Sequence, residues 1–86
     1  MANISIVIDG FGRHLDVRNL EFVIKHENRS IKKIPFYAAN EISVSSGNSI
    51  SSKALAWASI SGIKVLVTYQ SGRPLGVYLP SKMINM

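Results

Sequence analysis

Apolar residues recur at every second position through the first half of this chain, and that period selects strands over helices. Ile4, Ile6 and Ile8 share one face of a first strand. Asp9-Gly10-Phe11-Gly12 follows as a turn, with two glycines able to supply positive φ. Leu15 and Val17 then alternate with His14, Asp16 and Arg18, which reads as a half-buried second strand. Arg18-Asn19 turns into a third, where Leu20, Phe22 and Ile24 line one face. After the polar stretch from His26 to Ser30, Ile34 and Phe36 flank Pro35 in a fourth strand, and Pro35 points to a sheet edge or a strand end. Ile42 and Val44 belong to a fifth.

The period changes after Ser45-Ser46-Gly47-Asn48-Ser49. Ala54, Trp57, Ala58 and Ser61 recur at helical spacing, Ser49 or Ser51 can cap the first turn, and Gly62 stands where a left-handed C-terminal cap belongs. Lys64 to Tyr69 is rich in β-branched residues and apolar on both faces, as a strand covered on both sides would be. Gln70-Ser71-Gly72-Arg73-Pro74 turns into a last strand carrying Leu75, Val77 and Leu79, which Pro80 ends. Five strands, a helix and two strands predict an α+β domain over residues 1–80. The expected architecture is mostly antiparallel strands in two packed, sandwich-like layers, with one short helix near 51–61. Residues 81–86 have no period and read as the start of a linker.

A single domain of 86 residues buries a limited core, and the chain has no cysteine, so disulfides and thiolate metal sites are excluded. Self-association or a neighbouring domain is then the expected support. Charged residues are only 17% of the sequence, which suits a self-complementary surface, and the net charge of +5 is compatible with phosphate contact. A modestly basic, freely soluble domain fits the same figures. No apolar run approaches the length of a spanning helix and no signal peptide opens the chain, so a cytoplasmic location is expected.

Three segments, in order, resemble a known family. They are Lys33-Ile34-Pro35-Phe36 with Glu41-Ile42; Asn48 to Leu55 running on through Ser61-Gly62-Ile63-Lys64-Val65; and Ser71-Gly72-Arg73-Pro74-Leu75-Gly76. The chain resembles, over about positions 4 to 80, the N-terminal β-strand domain of the CRISPR-associated protein one family, the integrases that insert new spacers. The resemblance implies a homodimer formed through this domain, association with a second, smaller CRISPR adaptation protein, and a hold on duplex DNA. It also implies that strand transfer, with a divalent metal such as Mg or Mn, belongs to a helical catalytic domain outside this chain. No catalytic residue and no metal ligand can therefore be carried over, and no cofactor is expected here.

The residues offer little chemistry of their own. Gly10-Phe11-Gly12 begins like a dinucleotide fingerprint, but Leu15 stands at the third glycine position and no helix follows. His14 and His26 lack a ligand cluster and read as exposed, and no serine has a base at recognisable spacing. Binding is better represented. Arg29, Lys32 and Lys33 form the densest basic stretch, with Arg13, Arg18 and Lys25 on earlier hairpins; side by side they make a stripe for phosphates, or simply a solvated face. Phe11 lies where some family members place an aromatic against a duplex end, and a ring there stacks on any base, or folds back over the core. The two readings that follow are a dimerisation and scaffold domain with accessory DNA contact, and a free-standing basic nucleic-acid-binding module.

Overall fold

The computed structural model describes residues 4–79. The expected linker at 81–86 lies outside them, as does Pro80. Eight strands and one helix follow in order: β1 (Ile4–Ile8), β2 (Arg13–Arg18), β3 (Glu21–His26), β4 (Arg29–Pro35), β5 (Ala39–Ser45), β6 (Ser49–Ile50), α1 (Ser52–Ile60), β7 (Lys64–Thr68) and β8 (Pro74–Tyr78). They form two four-stranded sheets, ordered β1-β5-β7-β8 and β4-β3-β2-β6.

The expected two-layer α+β architecture is present, but the sheets are mixed and not mostly antiparallel. β1 runs parallel to β5, β5 parallel to β7, and β6 parallel to β2. Alternation fixes which face of a strand is buried and says nothing about the direction of its partner. Parallel neighbours need a long crossover, and the two in the first sheet are identifiable. The β2-β3-β4 meander carries the chain from β1 to β5, and β6 with α1 carries it from β5 to β7. The Asp9 to Gly12 turn is accordingly a corner between sheets, not a hairpin.

The two sheets bury one face each against the other. Ile6, Ile8, Ile42, Val44 and Val65 come from the first sheet, and Leu15, Val17, Phe22, Ile24 and Ile34 from the second. Ala54 and Ala58 are fully buried where α1 packs against them, their small side chains allowing close approach. Phe22 and Phe36 lie 4.8 Å apart, and Phe36 stacks on Trp57 at 5.1 Å, so three aromatic rings tie β3 to the helix.

Local details follow from backbone chemistry. Asn19-Leu20 and Glu27-Asn28 each have φ > 0 at both positions, the form that matches the twist of the strands they join. Leu20 thus sits in a turn at 68% exposure and not on the buried face expected of it. Phe36 likewise leaves the fourth strand for a single 3-10 turn, Phe36–Ala38. Pro35 both ends β4 and lies on an edge strand, so its missing N–H costs no ladder bond. The β7 strand is half-covered at Leu66 and Val67, less than the two-sided burial its sequence suggests.

Both helix ends are capped. The Ser51 hydroxyl accepts from the Ala54 N–H at 3.0 Å. At the other end Gly62 has φ +78°, its N–H donates to the Ser59 carbonyl, and the Ile63 N–H reaches back to Ala58 at 2.8 Å. Ser51 to Ala removes the N-terminal cap, and urea unfolding should show a loss of about 1 kcal/mol.

Candidate nucleic-acid interface

Three loops converge at one end of the sandwich: Asp9–Gly12 before β2, the 46–48 turn after β5, and the 69–73 turn after β7. The Gly12 N–H donates to the Gly47 carbonyl at 2.9 Å, and the Ser46 N–H to Thr68 at 2.7 Å. Phe11 projects from this end, 68% exposed, with its ring against Gly47. A side chain at Gly47 would come within 2.6 Å of that ring, and its φ of +92° is also one that only glycine adopts cheaply. The Arg13 guanidinium folds back to donate to the Asp9 carbonyl, and a methyl at Gly10 would collide with it. Arg13 keeps further N–H donors for another acceptor.

Register places more positive charge beside the ring. Arg13, His26 and Arg29 face one another across β2, β3 and β4, at the same end as Phe11. The expected continuous basic stripe does not form. Lys32 pairs with Ile24 and Lys33 with Val23, one residue along, so the two lysines project to opposite faces of edge strand β4. Arg18 stands opposite Glu21 at the far end of β2, about 16 Å from Arg13 at strand rise. The six candidates therefore separate: Phe11, Arg13 and Arg29 share one end, Lys32 and Lys33 lie on the flank, and Arg18 lies apart.

Sequence reasoning missed three side chains at this end. His26 joins the row only through cross-strand register. Asn48 and Gln70 bond the loops together, and the Gly-Asn turn signal at 47–48 was the one hint of the first. The two histidines are partly covered, not exposed, and His14 Nδ1 shares a 2.6 Å hydrogen bond with Ser49 Oγ.

On the outer face of the second sheet Asp16 links strand to helix. Its Oδ1 accepts from the Val17 N–H at 2.8 Å and from the Ser51 hydroxyl at 3.0 Å, and Lys25 Nζ lies 3.5 Å from Oδ2. The Val17 N–H, then the Ser51 hydroxyl and Lys25, hold its carboxyl below the usual range, against a smaller opposing effect of desolvation. Among the described residues no three His, Cys, Asp or Glu side chains come together as a metal would need. No described helix is long and apolar enough to cross a membrane.

The family model for CRISPR associated protein Cas1 matches residues 6–86. The chain belongs to the Cas1 family. No curated protein matches it. Solved structures with the same fold include a CAS1 protein from Thermotoga maritima, with TM-score 0.77 and 19% identity, covering 96% of this chain and 26% of that one. A partial Cas6-RT-Cas1–Cas2 complex gives TM-score 0.81 at 16% identity, covering 92% of this chain and 24% of that chain. A TtCas1–DNA complex gives 0.71 at 13%, covering 88% and 29%. The chain thus spans about a quarter of the length of these Cas1 structures.

The Asp16 linkage has a defined pH signature. A carboxyl with a depressed folded pKa stabilises the fold above its unfolded value, and that contribution is lost as pH falls through the folded value. Asp16 to Ala should destabilise the domain at neutral pH. The gap from wild type should narrow as the pH is taken below 3.8, the ordinary carboxyl value, in urea melts run across pH.

Proposed function

We propose that this chain is the assembly domain of a CRISPR adaptation integrase, pairing with a second copy of itself and touching duplex DNA through the end that carries Phe11. The observation behind this reading is the state of β8. All five of its residues are exposed, it bears no charge, and it forms an edge of its sheet. Natural edges are usually short, charged or covered. Here β6 has two residues and β4 carries Arg29, Lys32 and Lys33, whereas β8 is five residues long, uncharged, and guarded only by Pro74 at its first position and an irregularity opposite Thr68. The other uncharged edge, β1, at least buries Ile6 and Ile8.

The inner face explains why β8 stays uncovered. Helix α1 packs mainly against β2 and β7. A groove of about 260 Å³ is left between the helix and β8, bordered by Leu55, Ala56, Ile63, Val65, Tyr78 and Leu79. Tyr78 and Leu79 beside this groove, and Leu75 and Val77 on the opposite face of the strand, are each 45–55% exposed. A second copy adding its own edge strand would satisfy the free backbone groups of β8 and remove that apolar surface from water.

Phe11, Arg13 and Arg29 are the proposed DNA contacts: the ring stacks on a terminal base and the guanidinium groups meet phosphates. Lys32 and Lys33 extend the charge along the flank, and Arg18 has no place in this contact. The partner in the Cas6-RT-Cas1–Cas2 complex supports assigning this chain a second, smaller adaptation protein as neighbour. Strand transfer and its divalent metal are assigned to no residue of this chain.

Sedimentation equilibrium tests the pairing. The expected mass is twice 9.5 kDa, and Val77 to Lys should return the chain to a folded monomer whose melting temperature is lower and no longer depends on protein concentration. A monomer at every concentration rules the pairing out; if that monomer still binds duplex, the free-standing nucleic-acid module becomes the better reading. In salt titrations of duplex binding, Arg29 to Ala should lower the slope of log K against log salt by about one. Phe11 to Ala should weaken binding without changing that slope.

A further inference from the structure

The loop that presents Phe11 and Arg13 has no regular structure of its own, and one side chain accounts for its conformation. Asn48 Oδ1 accepts from the Arg13 N–H at 2.9 Å. Its Nδ2 donates to the Gly10 carbonyl at 3.0 Å and meets the Ser45 carbonyl and hydroxyl at 3.1 Å. An amide nitrogen has two hydrogens, so these three acceptors occupy it fully. The bonds bracket Phe11 on both sides, at Gly10 and at Arg13, and join them to a turn more than thirty residues away. Gln70 adds a second donor to the Gly10 carbonyl at 2.8 Å and bonds Ser46 from the third loop. The Gly10 carbonyl, with two lone pairs, is then saturated.

We infer that Asn48 is the positioning residue of the Phe11–Arg13 contact, locking the loop where the ring rests on Gly47 and its exposed side faces a partner. This rests on the reading that this end meets nucleic acid. Asn48 touches no ligand itself. Its effect is to hold the ring and the arginine in place before binding, so that ordering the loop costs nothing at the moment of contact. No other residue type makes the same set of bonds at this length: aspartate keeps the acceptor for Arg13 but turns an oxygen toward the Gly10 and Ser45 carbonyls.

The test uses the full chain as wild type, Asn48 to Ala, Asn48 to Asp and Phe11 to Ala, with two readouts. In proton NMR the Gly47 α protons should carry a ring-current shift from Phe11. Both Asn48 variants should lose it while the Trp57 indole signal, stacked on Phe36 away from the loops, stays in place. With a short duplex bearing 2-aminopurine at its terminal base, the wild type should change the fluorescence. Asn48 to Ala should weaken binding about tenfold, and Asn48 to Ala combined with Phe11 to Ala should lose less than the two single losses together, because Arg13 is the only contact left for Asn48 to position. Persistence of the Gly47 shift in both variants, or additive losses in the double variant, overturns the inference. If the wild-type chain ignores the duplex altogether, the DNA reading fails, and the NMR arm alone decides whether Asn48 sets the loop.

Discussion

The parallel pairing of β1 with β5 is the constraint on which the rest of the molecule hangs. Ile4 to Ile8 lie beside Ala39 to Val44, some 35 residues later, so everything between must cross from one end of the sheet to the other. The chain uses that crossing to build its second sheet. The β2-β3-β4 meander leaves β1 at a corner, covers the first sheet with Leu15, Phe22, Ile24 and Ile34, and returns at β5. The same pairing puts the C-terminal ends of β1 and β5 side by side. That is why Phe11 meets Gly47, and why Asn48 is within reach of Gly10 and Arg13.

The opposite margin of the first sheet shows what one short helix cannot do. α1 closes the core over β2 and β7 with Ala54 and Ala58, and its nine residues leave β8 uncovered. For a chain this short, the shortage of buried surface is general, and the uncovered edge is where it becomes local. Assembly and stability are then one problem: the surface that a partner would bury is the surface that the domain fails to bury alone. The Cas1 structures of the same fold are about four times as long.

Charge is distributed by the same logic. Lys25 and Lys64 are held at Asp16 and Glu41, each inside a sheet, where cross-strand pairing offsets their charge. Arg29, Lys32 and Lys33 lie along an outer strand, where they keep an edge from pairing, and only Arg29 shares an end with Phe11 and Arg13. Proximity in sequence put these three basic residues together; a strand separated them, because its successive side chains face opposite ways.

The sequence by itself determined the elements. Period-two alternation located most of the strands but not the two-residue β6, Ser49 or Ser51 with Gly62 marked the helix ends, Pro35 marked an edge or a strand end, and the ordered motifs from Lys33 to Gly76 pointed to the family. These are local signals, carried by side-chain periodicity and by backbone preferences of single residues. Only the tertiary structure decided strand direction, the separation of Lys32 from Lys33, the row of Arg13, His26 and Arg29, and the part played by Asn48. Each of these depends on which distant segments become neighbours, and alternation looks the same in a parallel and an antiparallel strand. Leu20 and Phe36 mark the same limit at short range: both continue the apolar period, yet a two-residue turn and a 3-10 turn take them out of the strands, because the chain must reverse there.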